Sequence, residues 1–126
     1  MISQKIDSYK KLLFWKTAYE VTILVVQLAR KIPKDRASII IISQLIRASA
    51  SVGANIAEGF GRYKGKEYER FLQISLGSAN ETEYWLLILK DLYPVLSTEI
   101  EKILNKNQET IKMIASSLKT LRKRKL

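Results

Sequence analysis

The sequence predicts an all-α fold: a single-domain, antiparallel, up-down-up-down four-helix bundle. Three observations predict it. Apolar residues recur at spacings of three, four and seven along most of the chain, which is the period of a helix face. Pro33, the glycines Gly59, Gly61 and Gly65, and Pro94 cut that pattern into four runs. The breaks are short, which makes consecutive helices antiparallel neighbours.

The first helix is expected over residues 8–31, ending before Pro33 because the residue preceding a proline disfavours the α region. Leu12, Trp15, Tyr19, Val26 and Ala29 make one apolar stripe, and Phe14, Ala18, Val21, Val25, Leu28 and Ile32 make a second. A bundle helix needs one stripe, so the surplus predicts contact with another subunit. The second helix is expected over residues 36–58, with Asp35 or Ser38 as its cap. Ile39 to Ile42 favour a strand locally, but the spacing of Ile42, Leu45, Ser49, Val52 and Ile56 outvotes them.

The third helix is expected over residues 66–92, from the spacing of Tyr68, Phe71, Ser75, Ser78, Thr82, Trp85, Leu89 and Leu92. Gly77 inside it costs about 1 kcal/mol relative to alanine, which implies a packing reason. The fourth is expected over residues 98–121, capped by Ser97 or Thr98 with Glu101 completing a capping box. Ile100, Leu104, Asn107, Ile111, Ile114, Leu118 and Leu121 form an unbroken seam. Asn107 is its one polar member, either fixing register or sitting in water at the seam edge. A basic tail at 122–126 completes the single domain 1–126.

Composition bounds the function. The chain has 126 residues, of which 47% are hydrophobic, which supports a real core. Cysteine is absent, so no disulfide or thiolate metal site exists. Histidine is absent too, which removes the usual general base, the usual zinc ligand and the Glu-x-x-His pattern of di-iron bundles. No signal-peptide pattern opens the chain. The two most apolar stretches are broken by Lys16, Glu20, Gln27 and Arg30, and by Gln44, Arg47 and Asn55, so neither reads as a membrane span. The expectation is a cytoplasmic protein without a membrane partner.

Lys and Arg number 22 against 12 acids, a formal net charge of +10. After Glu109 no acid follows, while Lys112, Lys119, Arg122, Lys123, Arg124 and Lys125 do. Such an excess suits a polyanionic partner. Three cationic clusters are candidate nucleic-acid contacts: Arg62, Lys64, Lys66 and Arg70, with Tyr63 among them; Lys10, Lys11 and Lys16; and Arg122, Lys123, Arg124 and Lys125. They imply backbone contact rather than base recognition. Arg30 and Arg47 are alternatives for intersubunit ion pairs.

The most specific stretch is Asn55-Ile-Ala-Glu-Gly-Phe-Gly-Arg62, followed by Lys66-Glu67. Asn55, Glu58, Gly59, Gly61 and Glu67 form the expected corner between the second and third helices, where the glycines supply positive φ. Asn55 and Glu58 are expected to satisfy turn amides or pair with Arg62, and Glu67 to favour a helix N-terminus. Glu58, Glu67, Glu81 and Glu83 do not make a catalytic set: Glu81 and Glu83 are two apart on a helix, and no nucleophile accompanies them. No catalytic residue, cofactor or metal is expected.

Ser43-Gln44-Leu45, Arg47-Ala48, Ser51-Val52, the Asn55–Arg62 stretch, Lys66-Glu67, Phe71-Leu72, Gly77-Ser78 and Glu81-x-Glu83 together resemble the four-helix-bundle proteins encoded in intervening sequences of bacterial 23S rRNA genes. The resemblance spans about residues 12–92; the last helix matches only in type. It implies a cytoplasmic bundle assembled as a ring-like homopentamer, without known enzymatic activity, with a presumed role in binding RNA or DNA. Accessory proteins of diversity-generating retroelements share the fold and associate with a reverse transcriptase and nucleic acid. An alternative function is therefore a protein–protein scaffold or accessory subunit for such a polymerase. The corner is more similar to the rRNA-associated branch. Departures are Gly53 where the family usually has proline, Gly65 where it has serine or threonine, and the isoleucine run in place of a Tyr-Gly pair.

Overall fold

A computed structural model describes residues 7–62 and 66–124. The sequence-predicted Tyr63, Lys64, Gly65 and Lys125 lie outside the described residues. A short 3-10 turn, Tyr9–Lys11, precedes four helices: α1 (Leu13–Ala29), α2 (Arg36–Phe60), α3 (Lys66–Leu92) and α4 (Ser97–Lys123). A second 3-10 turn, Pro94–Leu96, joins α3 to α4. No strand occurs among the described residues, and the isoleucine run is helical.

The chain thus forms a four-helix bundle. Each helix packs on its sequence neighbours, and α1 closes the arrangement against α4. The core has two apolar clusters. One gathers Val25 and Leu28 of α1, Ile42 and Leu45 of α2, Leu86 and Leu89 of α3, and Ile100 and Ile103 of α4. The other gathers Phe14 and Ala18, Val52 and Ile56, Leu72 and Ala79, and Ile114 and Leu118. The first cluster draws on the late half of α1, the early half of α2, the late half of α3 and the early half of α4. The second takes the complementary halves. That is the pattern of helices reversing direction at each connection.

A belt of polar side chains lies between the clusters and bridges all four neighbouring helix pairs. Thr22 of α1 donates to the Ser49 carbonyl of α2 at 3.1 Å. Ser75 of α3 donates to the Val52 carbonyl of α2 at 2.9 Å, and Ser51 and Ser78 pair beside it at 2.9 Å. Asn107 Nδ2 of α4 donates to the Ala79 carbonyl of α3 at 2.9 Å. Thr110 of α4 donates to Thr17 of α1 at 2.7 Å, and Thr17 in turn to the Phe14 carbonyl. Asn107 is fully buried: it is a register residue, not a wet edge.

Several expectations need correction. The Phe14–Ile32 stripe of α1 fills the core; of the other stripe only Ala29 is buried, and Tyr19 is 54% exposed. The chain does not enter α1 as one helix from residue 8, because Leu12 is extended between the 3-10 turn and α1. At α4 neither Ser97 nor Thr98 is the cap: Leu96 precedes the helix without a side-chain hydrogen bond. Glu101 instead pairs with Lys90 at 2.5 Å. Gly77 has no packing role, since a Cβ there would meet nothing within 4 Å.

The caps around α2 are better matched. Asp35 accepts from the Ser38 amide at 2.9 Å, as predicted. Lys34 Nζ covers the open end of α1 by donating to the Ala29 carbonyl at 2.7 Å. Ser38 and Tyr93 share a short hydrogen bond that ties α2 to the α3 exit. By length and composition α2 is long and apolar enough to cross a membrane. One face of it, however, fills the core, and Arg47 near its midpoint is ion-paired with Glu81 of α3.

Two glycine substitutions should act in opposite directions. Gly77→Ala is expected to stabilise the fold by about 1 kcal/mol, the helix-propensity difference. Gly59→Ala is expected to destabilise it by roughly 1–3 kcal/mol, the usual cost of overpacking, because the new Cβ would lie 2.6 Å from Phe71 Cβ. Urea denaturation of both variants checks the pair. A pH titration tests the α2 cap. The Ser38 amide holds the Asp35 carboxyl below the usual carboxylate range, so its stabilisation is complete above the unfolded pKa, about 3.9. That stabilisation should drain away as pH falls through the lowered folded value, and Asp35→Ala should flatten that part of the stability profile.

Candidate nucleic-acid interface

The helix arrangement determines which cations meet. The start of α1, the end of α2, the start of α3 and the end of α4 lie at one end of the bundle. Leu12, Phe14, Tyr68, Leu121 and Arg124 line one pocket there, of about 260 Å³, with Ser116, Ser117 and Thr120. The three basic stretches predicted separately therefore share one end. Lys10, Lys11 and Lys16 come from the α1 side, Arg62, Lys66 and Arg70 from the corner, and Arg122, Lys123 and Arg124 from α4.

Their charges are not equally available. Lys11 pairs with Asp7 at 2.8 Å, Arg70 with Glu67 at 3.1 Å, and Arg122 with Glu69 at 3.7 Å. Arg62 approaches Glu58 at 3.8 Å. Arg122 also donates to Gln73 Oε1 at 2.5 Å, which pins the end of α4 to α3. Lys10, Lys16, Lys66, Lys123 and Arg124 have no acidic partner among the described residues, and all five are exposed. These five are the free cations of the three predicted stretches. Exposed pairs such as those above contribute little to stability, so their cations too can exchange a carboxylate for a phosphate.

The corner is architectural. α2 runs through Phe60, and Gly61 follows in ordinary right-handed geometry with φ −65°. No described glycine adopts positive φ, which corrects the role assigned to Gly59 and Gly61. Gly59 is needed for close approach instead, because α3 presses Phe71 onto it. Arg70 and Arg62 lie over the Phe71 ring, their guanidinium carbons 4.9 and 5.6 Å from its centroid. Asn55 does not cap the turn: its Nδ2 donates back to the Ser51 carbonyl and hydroxyl at 2.8 and 2.9 Å. Glu67 does stand in the first turn of α3, as expected. Tyr68 is partly buried against the core cluster at this end, and that burial raises its phenol pKa.

Glu58, Glu67 and Glu81 each serve a separate ion pair. Glu81 accepts from Arg47 and, at 3.0 Å, from Trp85 Nε1, so Arg47 is an intramolecular partner. No group of three acids able to hold a metal occurs among the described residues. A second groove of about 430 Å³, between α1 and α4, carries mixed charge. Its Lys106 lies between Glu20 at 3.3 Å and Glu109 at 3.6 Å, and the Glu20 contact raises its pKa. A third groove, between α1 and α2, is lined by Tyr9, Trp15, Tyr19, Thr22, Ala50, Gly53, Ala54 and Ala57 and was not foreseen from sequence. Its aromatic spacing of four and six residues spans the break at Leu12, so no single helical period reveals it.

Comparison with known proteins agrees with the fold. The family description "23S rRNA-intervening sequence protein" matches residues 10–116. A crystal structure of a protein of unknown function from the S23 ribosomal protein family, from Bacteroides thetaiotaomicron, superposes with a TM-score of 0.77 at 28% identity. The match covers 85% of this chain and 99% of that one. No curated protein matches the chain.

Proposed function

The chain belongs to the 23S rRNA-intervening sequence protein family, and from that premise we propose that it is a non-enzymatic, self-associating cytoplasmic bundle that binds the backbone of RNA or DNA. The observation that carries this reading is the convergence of three basic stretches on one end, with Lys10, Lys16, Lys66, Lys123 and Arg124 lacking acidic partners among the described residues. Cations held this way contact phosphates without reading bases. Several copies of such an end in one assembly multiply a modest affinity.

Self-association has its own support at the other half of the bundle. Ile23, Ile39, Ile40, Tyr84, Leu87, Leu92 and Val95 are all more than 40% exposed. Ile23 lies on α1, Ile39 and Ile40 on α2, and Tyr84 and Leu87 on α3. Two different apolar faces on one subunit suit a head-to-tail contact, the kind that closes into rings such as a pentamer. A polymerase partner would compete for the same faces.

Binding to RNA and DNA should weaken steeply with salt. Each phosphate contact removed should lower the log–log salt slope by about 1. Lys66→Ala and Lys123→Ala should do so, whereas Arg36→Ala and Lys102→Ala at the opposite end should not. Equal effects from both pairs would sink the proposed interface. Light scattering should give a mass well above the 14.5 kDa subunit, and Leu87→Glu or Ile39→Glu should each return it to monomer. A wild-type monomer at micromolar concentration would end the assembly proposal.

A further inference from the structure

The α1–α2 groove has features that backbone binding does not use. Tyr9, Trp15 and Tyr19 stand in a row, each tyrosine centroid 5.2 Å from that of Trp15. Tyr9 meets the indole edge-on at 68°, and Tyr19 lies tilted at 31°, with over half its surface exposed. With Ala50, Gly53, Ala54 and Ala57 they line about 270 Å³ of open groove. The indole lies over that glycine: a Cβ on residue 53 would stand 3.5 Å from Trp15 Nε1. Trp15 Nε1 makes no hydrogen bond among the described residues, unlike Trp85 Nε1, which donates to Glu81.

A row of rings, a small-residue lining and an unused N–H fit a flat, polar-edged ligand. Charge selects its class. No ionised residue lines this groove, which suits the uncharged face of a base, whereas the α1–α4 groove carries Glu20 and Glu109 among Lys16, Lys106 and Lys112. The groove begins at Tyr9, next in sequence to Lys10, one of the free cations of the basic end. Aromatic platforms beside cations are how proteins hold single strands, because every unpaired base offers a face. A duplex hides those faces in its own stack.

We infer that the Tyr9–Trp15–Tyr19 groove stacks unpaired bases of a single-stranded nucleic acid whose backbone runs onto the basic end. The inference rests on the proposed backbone binding and sharpens it to single strands. Trp15 donates to a base oxygen or nitrogen, and Tyr19 supplies the open face.

The test uses the full chain in a Trp85→Phe background, so that Trp15 alone fluoresces. Oligothymidylate, an abasic strand of equal phosphate number and a hairpin duplex are titrated at low salt. Oligothymidylate should quench Trp15 and bind tighter than the abasic strand by about 5-fold or more, the lower end of one stacked base. Exposed Tyr19 can be changed without opening the core, and Tyr19→Ser should remove that advantage while leaving abasic binding unchanged. If all three probes bind alike and Trp15 emission does not move, base stacking is wrong while backbone binding stands. If none binds, the proposed function itself fails. If Trp15 emission instead follows protein concentration and ignores oligothymidylate, a second copy of the chain fills the groove and the inference is overturned.

Discussion

The polar belt across the middle of the bundle is the constraint on which the other features depend. Apolar side chains are forgiving about register, since one leucine packs against another at many offsets. Buried hydroxyls and amides are not, because an unmet partner costs the full desolvation of the group. Here every neighbouring helix pair is joined by at least one such bond: Thr22 to Ser49, Ser75 to Val52, Asn107 to Ala79, and Thr110 to Thr17. Each helix takes part in two of these links, and sliding it takes the buried Ser75 hydroxyl or Asn107 amide, or the partner of Thr22 or Thr110, out of register. The belt therefore fixes all four helices relative to one another.

Fixed register decides what the ends contain. With α2, α3 and α4 of similar length and joined by short connections, their termini come out level. Basic stretches far apart in sequence are then brought to one surface. At the corner, the tight seat of Phe71 on Gly59 draws α2 and α3 together. The same ring carries Arg62 and Arg70 on its surface, so the packing that makes the corner also positions two of its cations. Architecture and candidate interface share residues there, which is why the corner reads as chemistry in the sequence and as structure in three dimensions.

The helices, their order and most of the core were legible because periodicity over long runs is a strong signal. The third helix was placed to the residue, and the others within a turn or two of their ends. What sequence could not rank was α1, whose two stripes look equally apolar; only the neighbours decide that Phe14 goes inward and Tyr19 outward. The belt was also hidden. In the sequence Ser49, Ser75 and Thr82 are only members of helical spacings and Thr110 falls outside the α4 seam; their hydroxyl partners are carbonyls or side chains on other helices or a turn away. Local rules misled at two glycines. Gly59 serves a contact rather than a turn, and Gly77 serves no contact within the subunit.

The basic end is not explained by helix electrostatics. Arg122 and Lys123 in the last turn of α4 do complement the negative end of that helix. Glu67 and Glu69 likewise suit the first turn of α3. The start of α1 breaks the rule: no acid occupies its first turn, and Lys10, Lys11 and Lys16 crowd beside its positive end. Of these only Lys11 has an acidic partner among the described residues. Repulsion of this kind weakens the fold slightly and gains nothing within the subunit. A local conflict without internal compensation is where function is expected to have overridden stability. An incoming phosphate chain would remove it, since anions are favoured at a helix start. The α1 start is also where the aromatic groove opens, so these uncompensated charges border the Tyr9–Trp15–Tyr19 row.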